Sequence, residues 1–279
     1  MEILNKVTKQ VFEEFIPAAK MPEHNDSVYE RLKEQFKVVY DRLIQNIVAP
    51  SLETELDAEG PLQKEVLRYV CLEAFVQSIR SLDLVLTATG FGIVSTASMA
   101  PASKSRVDAL MEDCRLRAAE SLCQIIHCMT IRTSWDDTPQ ARQSIQCLFW
   151  HISWLREYTT LPYTADNWQK ARGLSITADA FLRKAISEEY MEDLLRKMRS
   201  ATLDNADIII VQKCNSFTGG FISSYEFEKG PNQNRLDDIV GQLEAYPASY
   251  PVYTASETYK ARHGERYRNK KEDPTFFFM

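Results

Sequence analysis

Apolar residues recur at intervals of three and four along most of this chain, and that period constrains its fold more than any other feature. In residues 28–49, Val28, Leu32, Phe36, Val39, Tyr40, Leu43 and Ile47 share one helical face, with Asp26 or Ser27 as the cap and Pro50 as the stop. Residues 4–16 read as an earlier helix that ends before Pro17. Pro61 suits a first helical turn, and Val66, Tyr69, Val70, Leu72, Phe75, Val76 and Ile79 continue from it on a broad apolar face. From 103 to 132 the stripe is Val107, Leu110, Met111, Cys114, Ala118, Leu122, Ile125 and Met129, with Cys123 and His127 on the opposite side.

After a turn at 133–137, containing Asp136 and Asp137, the spacing predicts a helix to Tyr158. Ile145, Leu148, Phe149 and Ile152 lie on one of its sides, Trp150 and Trp154 on the other. A helix apolar on both sides has to be covered twice, by its own core and by a domain or subunit contact, and Trp150 and Trp154 are the candidate subunit-interface residues. The period changes only at Leu82, Leu84 and Leu86, which alternate before Thr89-Gly90 and resume at Phe91 and Ile93; this predicts a small β-hairpin near 82–96.

Beyond Pro162, Thr164 or Asp166 caps a short helix that Gly173 weakens. Phe181, Leu182, Ile186, Tyr190, Met191, Leu194, Leu195 and Met198 then carry helical faces to residue 199, with Glu188 and Glu189 placed as first-turn acids. Residues 207–211 fit a short strand or a helix, Gly219-Gly220 reads as a break, and a last helix spans 234–243. The expected fold is mainly α: helical bundles with a small β-hairpin insertion and an extended C-terminal arm. The expected division is a helical domain at 1–160, a smaller helical unit at 161–246 and the arm at 247–279.

Hydrophobic content of 44% with 26% charged residues belongs to a chain that folds. The N-terminus carries an early acid and no apolar run like that of a signal peptide. The long uncharged stretch at 84–103 is interrupted by Gly90, Gly92 and Pro101, so no membrane helix is expected. The six cysteines are accordingly expected to be reduced.

The net charge of -6 conceals an asymmetry, because Lys260, Arg262, Arg266, Arg268, Lys270 and Lys271 stand against Glu265 alone; the stretch 259–271 carries +5 and the remainder -11. Such a tail either attracts the acidic body of another copy or is simply a solvated end. The arm also holds Tyr250, Tyr253 and Tyr259, and finishes in Phe276, Phe277, Phe278 and Met279. These seven are the candidate docking residues, since apolar side chains on a free tail gain by burial against a partner, the alternative being that the terminal Phe and Met fold back on their own domain.

Catalytic signatures are absent. Gly90-Phe91-Gly92 lacks the third glycine of a dinucleotide loop, and no phosphate-binding loop, Gly-x-Ser-x-Gly or His-Glu-x-x-His occurs. Cys123 with His127 and Cys147 with His151 are spaced four apart, a donor set suited to zinc, although neither pair forms a Cys-x-x-Cys knuckle and simple packing accounts for them too. Neither an enzymatic activity nor a cofactor is expected. A basic tail with interleaved tyrosines leaves nucleic-acid binding open, and a cytosolic helical protein with a nucleic-acid or metal task is the alternative reading.

One stretch adds a resemblance. Phe75 to Val107, with Leu82-Asp83-Leu84-Val85-Leu86-Thr87, Gly90-Phe91-Gly92-Ile93-Val94-Ser95 and Ala100-Pro101-Ala102-Ser103-Lys104-Ser105-Arg106-Val107, resembles an uncharacterised family from Bacteroidetes phages and prophages whose members look like head-tail connector or adaptor proteins. The final Lys-Glu-Asp-Pro-Thr-Phe-Phe-Phe-Met is similar to the C-termini of that family. The resemblance implies a virion protein of the neck, present in the host cytoplasm during assembly. It would form a ring that joins portal to tail and contacts itself, the portal and the next tail or neck ring, while DNA passes through without specific binding. No catalytic residues come with it.

Overall fold

The computed structural model describes residues 2–19, 28–82, 84–87, 90–93, 103–225 and 231–264. It is a helical bundle. The first expected helix is divided into α1 (Glu2–Lys6) and α2 (Lys9–Phe15), because the Thr8 hydroxyl accepts from the Val11 N–H and caps a fresh start. α3 (Val28–Leu43) widens into a π-helical turn at Ile44–Val48. Pro50 disfavours helical geometry at the residue before it, and the helix ends at Ala49, whose φ is 85° and ψ 136°.

α4 (Pro61–Ser78) and α5 (Lys104–Thr130) form the most extensive helix pair of the core. Between them β1 (Leu84–Thr87) pairs antiparallel with β2 (Gly90–Ile93), Leu84 opposite Ile93 and Thr87 opposite Gly90.

The predicted helix to Tyr158 is interrupted. α6 (Pro139–Ser144) stops at Ile145, residues 145–152 are irregular, and α7 (Ser153–Tyr158) follows. The cause is packing: Ile145, Cys147, Leu148, Phe149 and Ile152 are all buried, a set that no single stripe of a continuous helix places inward. The buried Arg199 side chain donates its Nε–H to the Ile145 carbonyl at 3.3 Å, giving that backbone group a partner outside the helix.

α8 (Ala165–Ala185) is capped by Thr164 rather than Asp166 and runs straight through Gly173, longer than its glycine suggests. α9 (Glu188–Arg199) has Glu188 and Glu189 in its first turn. α10 (Asn205–Ser224) opens on a reciprocal Asp204–Asp207 capping box, so 207–211 is helix, and Gly219-Gly220 lies inside it instead of breaking it. α11 (Gln233–Ala245) follows.

The extended arm expected from 247 is instead helical where it is described: a 3₁₀ turn at Pro247–Ser249, α12 (Pro251–Ala255) and α13 (Glu257–His263). Phe276, Phe277, Phe278 and Met279 lie outside the described residues. The main hydrophobic cluster extends from Ile3 to Tyr253 and so includes residues on both sides of the expected division at 160–161. Among the described residues no helix is long and apolar enough to cross a membrane, and all six cysteines are free thiols.

Candidate subunit-docking surface

The irregular 145–152 segment and α7 carry a ladder of rings from the core to the surface. Phe149, 1% exposed, is its base; its ring centroid lies 5.9 Å from Trp154, 6.5 Å from Tyr158 and 6.4 Å from Trp168. Above it Trp150 meets Trp154 edge-on at 5.7 Å and His151 at 5.2 Å. Such tilted contacts suit the ring quadrupoles. Trp150 and Trp154 are half-buried, so the expected interface residues do lie together, although they share no helix face.

Beside Trp150 is a cavity of about 200 Å³, bounded by Cys147, Phe149, Arg172, Gly173 and Ile176. Ile176 is 52% exposed. The Trp150 indole N–H is buried without a hydrogen-bond partner, as is the hydroxyl of Ser144, another residue of the cavity lining. An unpaired buried donor of this kind is costly to keep.

The Cys/His set does not converge on a site. Cys123 and His127 are on α5, but Cys147 and His151 belong to the irregular segment. The Cys123 thiol lies 4.0 Å from the Trp150 carbonyl, and Cys147 Sγ is 3.2 Å from Ser175 Oγ. Burial pushes the Cys123 thiol up to about 11 and raises that of Cys147, which disfavours the thiolates that zinc needs. Among the described residues no group of three or more His, Cys, Asp or Glu is gathered as a metal site.

His151 is the pH-sensitive member of the ladder. Its Nδ1 pairs with Ser153 Oγ at 2.8 Å, its Nε2 lies 3.4 Å from Gln124 Nε2, and burial, then the charge of His127, lower its pKa below the usual 6.5. The unfolded chain therefore takes up this proton first, so the contribution of His151 to stability is complete above 6.5 and declines as the pH falls from 6.5 toward the lowered value. Urea midpoints measured from about pH 7.5 to 5 should fall, and His151→Gln should flatten that fall. Equal slopes in the two proteins would rule His151 out as the source.

Tyr250 and Tyr253, expected on a docking arm, are buried within the chain, which corrects their assignment. Tyr250 and Tyr253 are 2% and 0% exposed and contact Tyr190 edge-on at 6.0 and 6.2 Å. Tyr259 is half-buried, 5.4 Å from Tyr253 and stacked on His263 at 4.1 Å. A ring beside its own core reaches shelter without the entropy loss of recruiting a second chain.

A second concave surface went unnoticed in the sequence. Phe181 of α8, Leu236, Val240 and Gly241 of α11, and Arg262 of α13 line a groove of about 590 Å³. Its signal was present in α11, where Leu236, Ile239 and Leu243 are buried while Val240 is only half covered.

A protein-family model described as a family of unknown function (DUF6712) matches residues 24–145, from ahead of α3 to the end of α6. No curated protein and no solved structure matches the chain.

Proposed function

We propose that this chain is a structural, non-enzymatic assembly protein: a subunit of a head-tail connector ring that joins portal to tail in a virion. The observation that carries the assembly reading is the ring ladder of Trp150, His151 and Trp154 beside Ile176, aromatic and apolar surface that the chain's own fold leaves half-covered. The phage neck is supported by the sequence resemblance across 75–107 and at the C-terminal end. Its partners would be further copies of itself, the portal and the adjoining neck or tail ring. A charge of -11 outside 259–271 suits a conduit through which DNA passes without being gripped.

The test is the mass of the chain at rising concentration, alone and with the portal protein of the same phage. Multiples of 32.1 kDa, or co-migration with portal, are expected. Trp150→Glu combined with Ile176→Glu should weaken that association by about 30-fold or more, since central aromatic anchors contribute about 2 kcal/mol or more each. Helical circular dichroism should be retained, because both side chains reach the surface. A chain that stays monomeric at every concentration and ignores the portal would overturn the reading.

A further inference from the structure

The groove formed by α8, α11 and α13 is a recess for which this chain carries a matching segment. We propose that it receives Phe276, Phe277, Phe278 and Met279 of a second copy, so that each subunit holds its neighbour's tail. This rests on the assembly reading above and names the contact that would join the copies.

Three observations support it. The first is shape and chemistry: about 590 Å³ with Phe181, Leu236, Val240 and Gly241 on the apolar part falls within the range, about 300–1,000 Å³, of cavities that bury a sizeable ligand. A Cβ built on Gly241 meets nothing within 4 Å, so the space above α11 is open.

The second is charge. Asp237 and Glu244 line the groove together with Lys184 and Arg262. The incoming segment carries Lys270 and Lys271, then Glu272 and Asp273, with Pro274 and Thr275 between these and its phenylalanines. Both the groove rim and the incoming segment therefore carry charges of each sign, although Glu244 already pairs with Arg262 at 3.9 Å.

The third is reach. α13 ends at His263, next to Arg262 on the groove wall. The residues from 265 to 276 span about 40 Å when extended. Within them Arg266, Arg268, Lys270 and Lys271 outnumber Glu265 before Glu272 is reached, and such a basic stretch is attracted to the remainder of another copy, which carries -11. A groove on one copy filled by a segment of the next is also a heterologous contact, the type that closes into a ring.

The experiment uses the full chain with photoreactive benzoylphenylalanine in place of Phe277, prepared in isotopically light and heavy forms, mixed and irradiated. Crosslinks between light and heavy chains, mapping to 181–185 or 233–244, are expected. Gly241→Trp should reduce their yield about fivefold or more by filling the recess, with Gly241→Ala as the control that leaves it open. Crosslinks confined to chains of one isotope would mean that the tail covers its own groove, and crosslinks elsewhere or none at all would mean that the groove is not its receptor; each overturns the proposal. The mass of the same samples separates the two ideas. Rings without groove crosslinks remove this contact and leave the assembly reading standing, whereas monomers that ignore the portal remove the assembly reading itself.

Discussion

Trp135→Ala is expected to lower the free energy of unfolding by about 4–6 kcal/mol. Trp135 is 0% exposed, and its indole N–H donates to the Ile47 carbonyl at 2.8 Å, tying the 133–137 turn to the π-helical stretch after α3. Gln140 reinforces the same junction by donating to the Gln45 carbonyl at 2.9 Å. Truncating a buried tryptophan leaves a cavity worth about 3–5 kcal/mol, and the abandoned Ile47 carbonyl adds about 1 kcal/mol. Since whole domains are held by only about 5–15 kcal/mol, the substitution should shift the urea midpoint by a large fraction at unchanged slope. Trp135→Phe keeps much of the volume but not the donor, so its loss should be smaller, about 1–3 kcal/mol. Indistinguishable midpoints for wild type and Trp135→Ala would show that this junction does not stabilise the fold.

Gly219→Ala should destabilise by about 3 kcal/mol or more, although alanine is the better helix former by about 1 kcal/mol. A Cβ at position 219 would clash with the Tyr158 carbonyl oxygen and sit 2.6 Å from the Tyr158 Cβ, so α10 could remain helical only by moving away from α7. The adjacent Gly220→Ala is the contrast. There a Cβ first meets the Arg235 guanidinium at 3.0 Å, the far end of a flexible side chain, and the expected change lies between zero and a gain of about 1 kcal/mol. Thermal or urea unfolding of the pair should give effects of opposite sign or widely different size. Equal small effects would mean that the close approach of α10 to Tyr158 is not a constraint.

That glycine pair shows where sequence reading ended. Gly219-Gly220 looked like a break because glycine is a poor helix former, and nothing local reveals that Gly219 is needed for the passage of another backbone. Gly173 misled in the same direction: α8 continues through it because Trp168, Ala171, Ser175, Ala178 and Leu182 anchor the helix on either side. The 145–158 stretch failed differently. Its apolar residues fit a two-sided helix by count, yet burying five of the eight residues at 145–152 requires the chain to turn as it goes.

The candidate site was legible in part. Trp150 and Trp154 stood out as aromatics beyond what one core face needs, and they do lie together, half-covered. Tyr250 and Tyr253 were assigned outward because their segment lacks a helical stripe. The partner they found, Tyr190, is sixty residues away in sequence and invisible to any local pattern.

Periodicity and end signals determined by themselves that this is a mainly helical chain, and where α3, α4, α5 and α9 lie, because a 3.6-residue repeat and its caps are properties of neighbours along the backbone. Tertiary structure alone decided that the helix ahead of Tyr158 must break, that α10 must not, and that the tyrosines of 247–263 belong to the chain's own core. Those outcomes depend on which remote surface each segment meets, and in a packed interior the fit between distant segments outweighs the fractions of a kcal/mol per residue that local preference supplies.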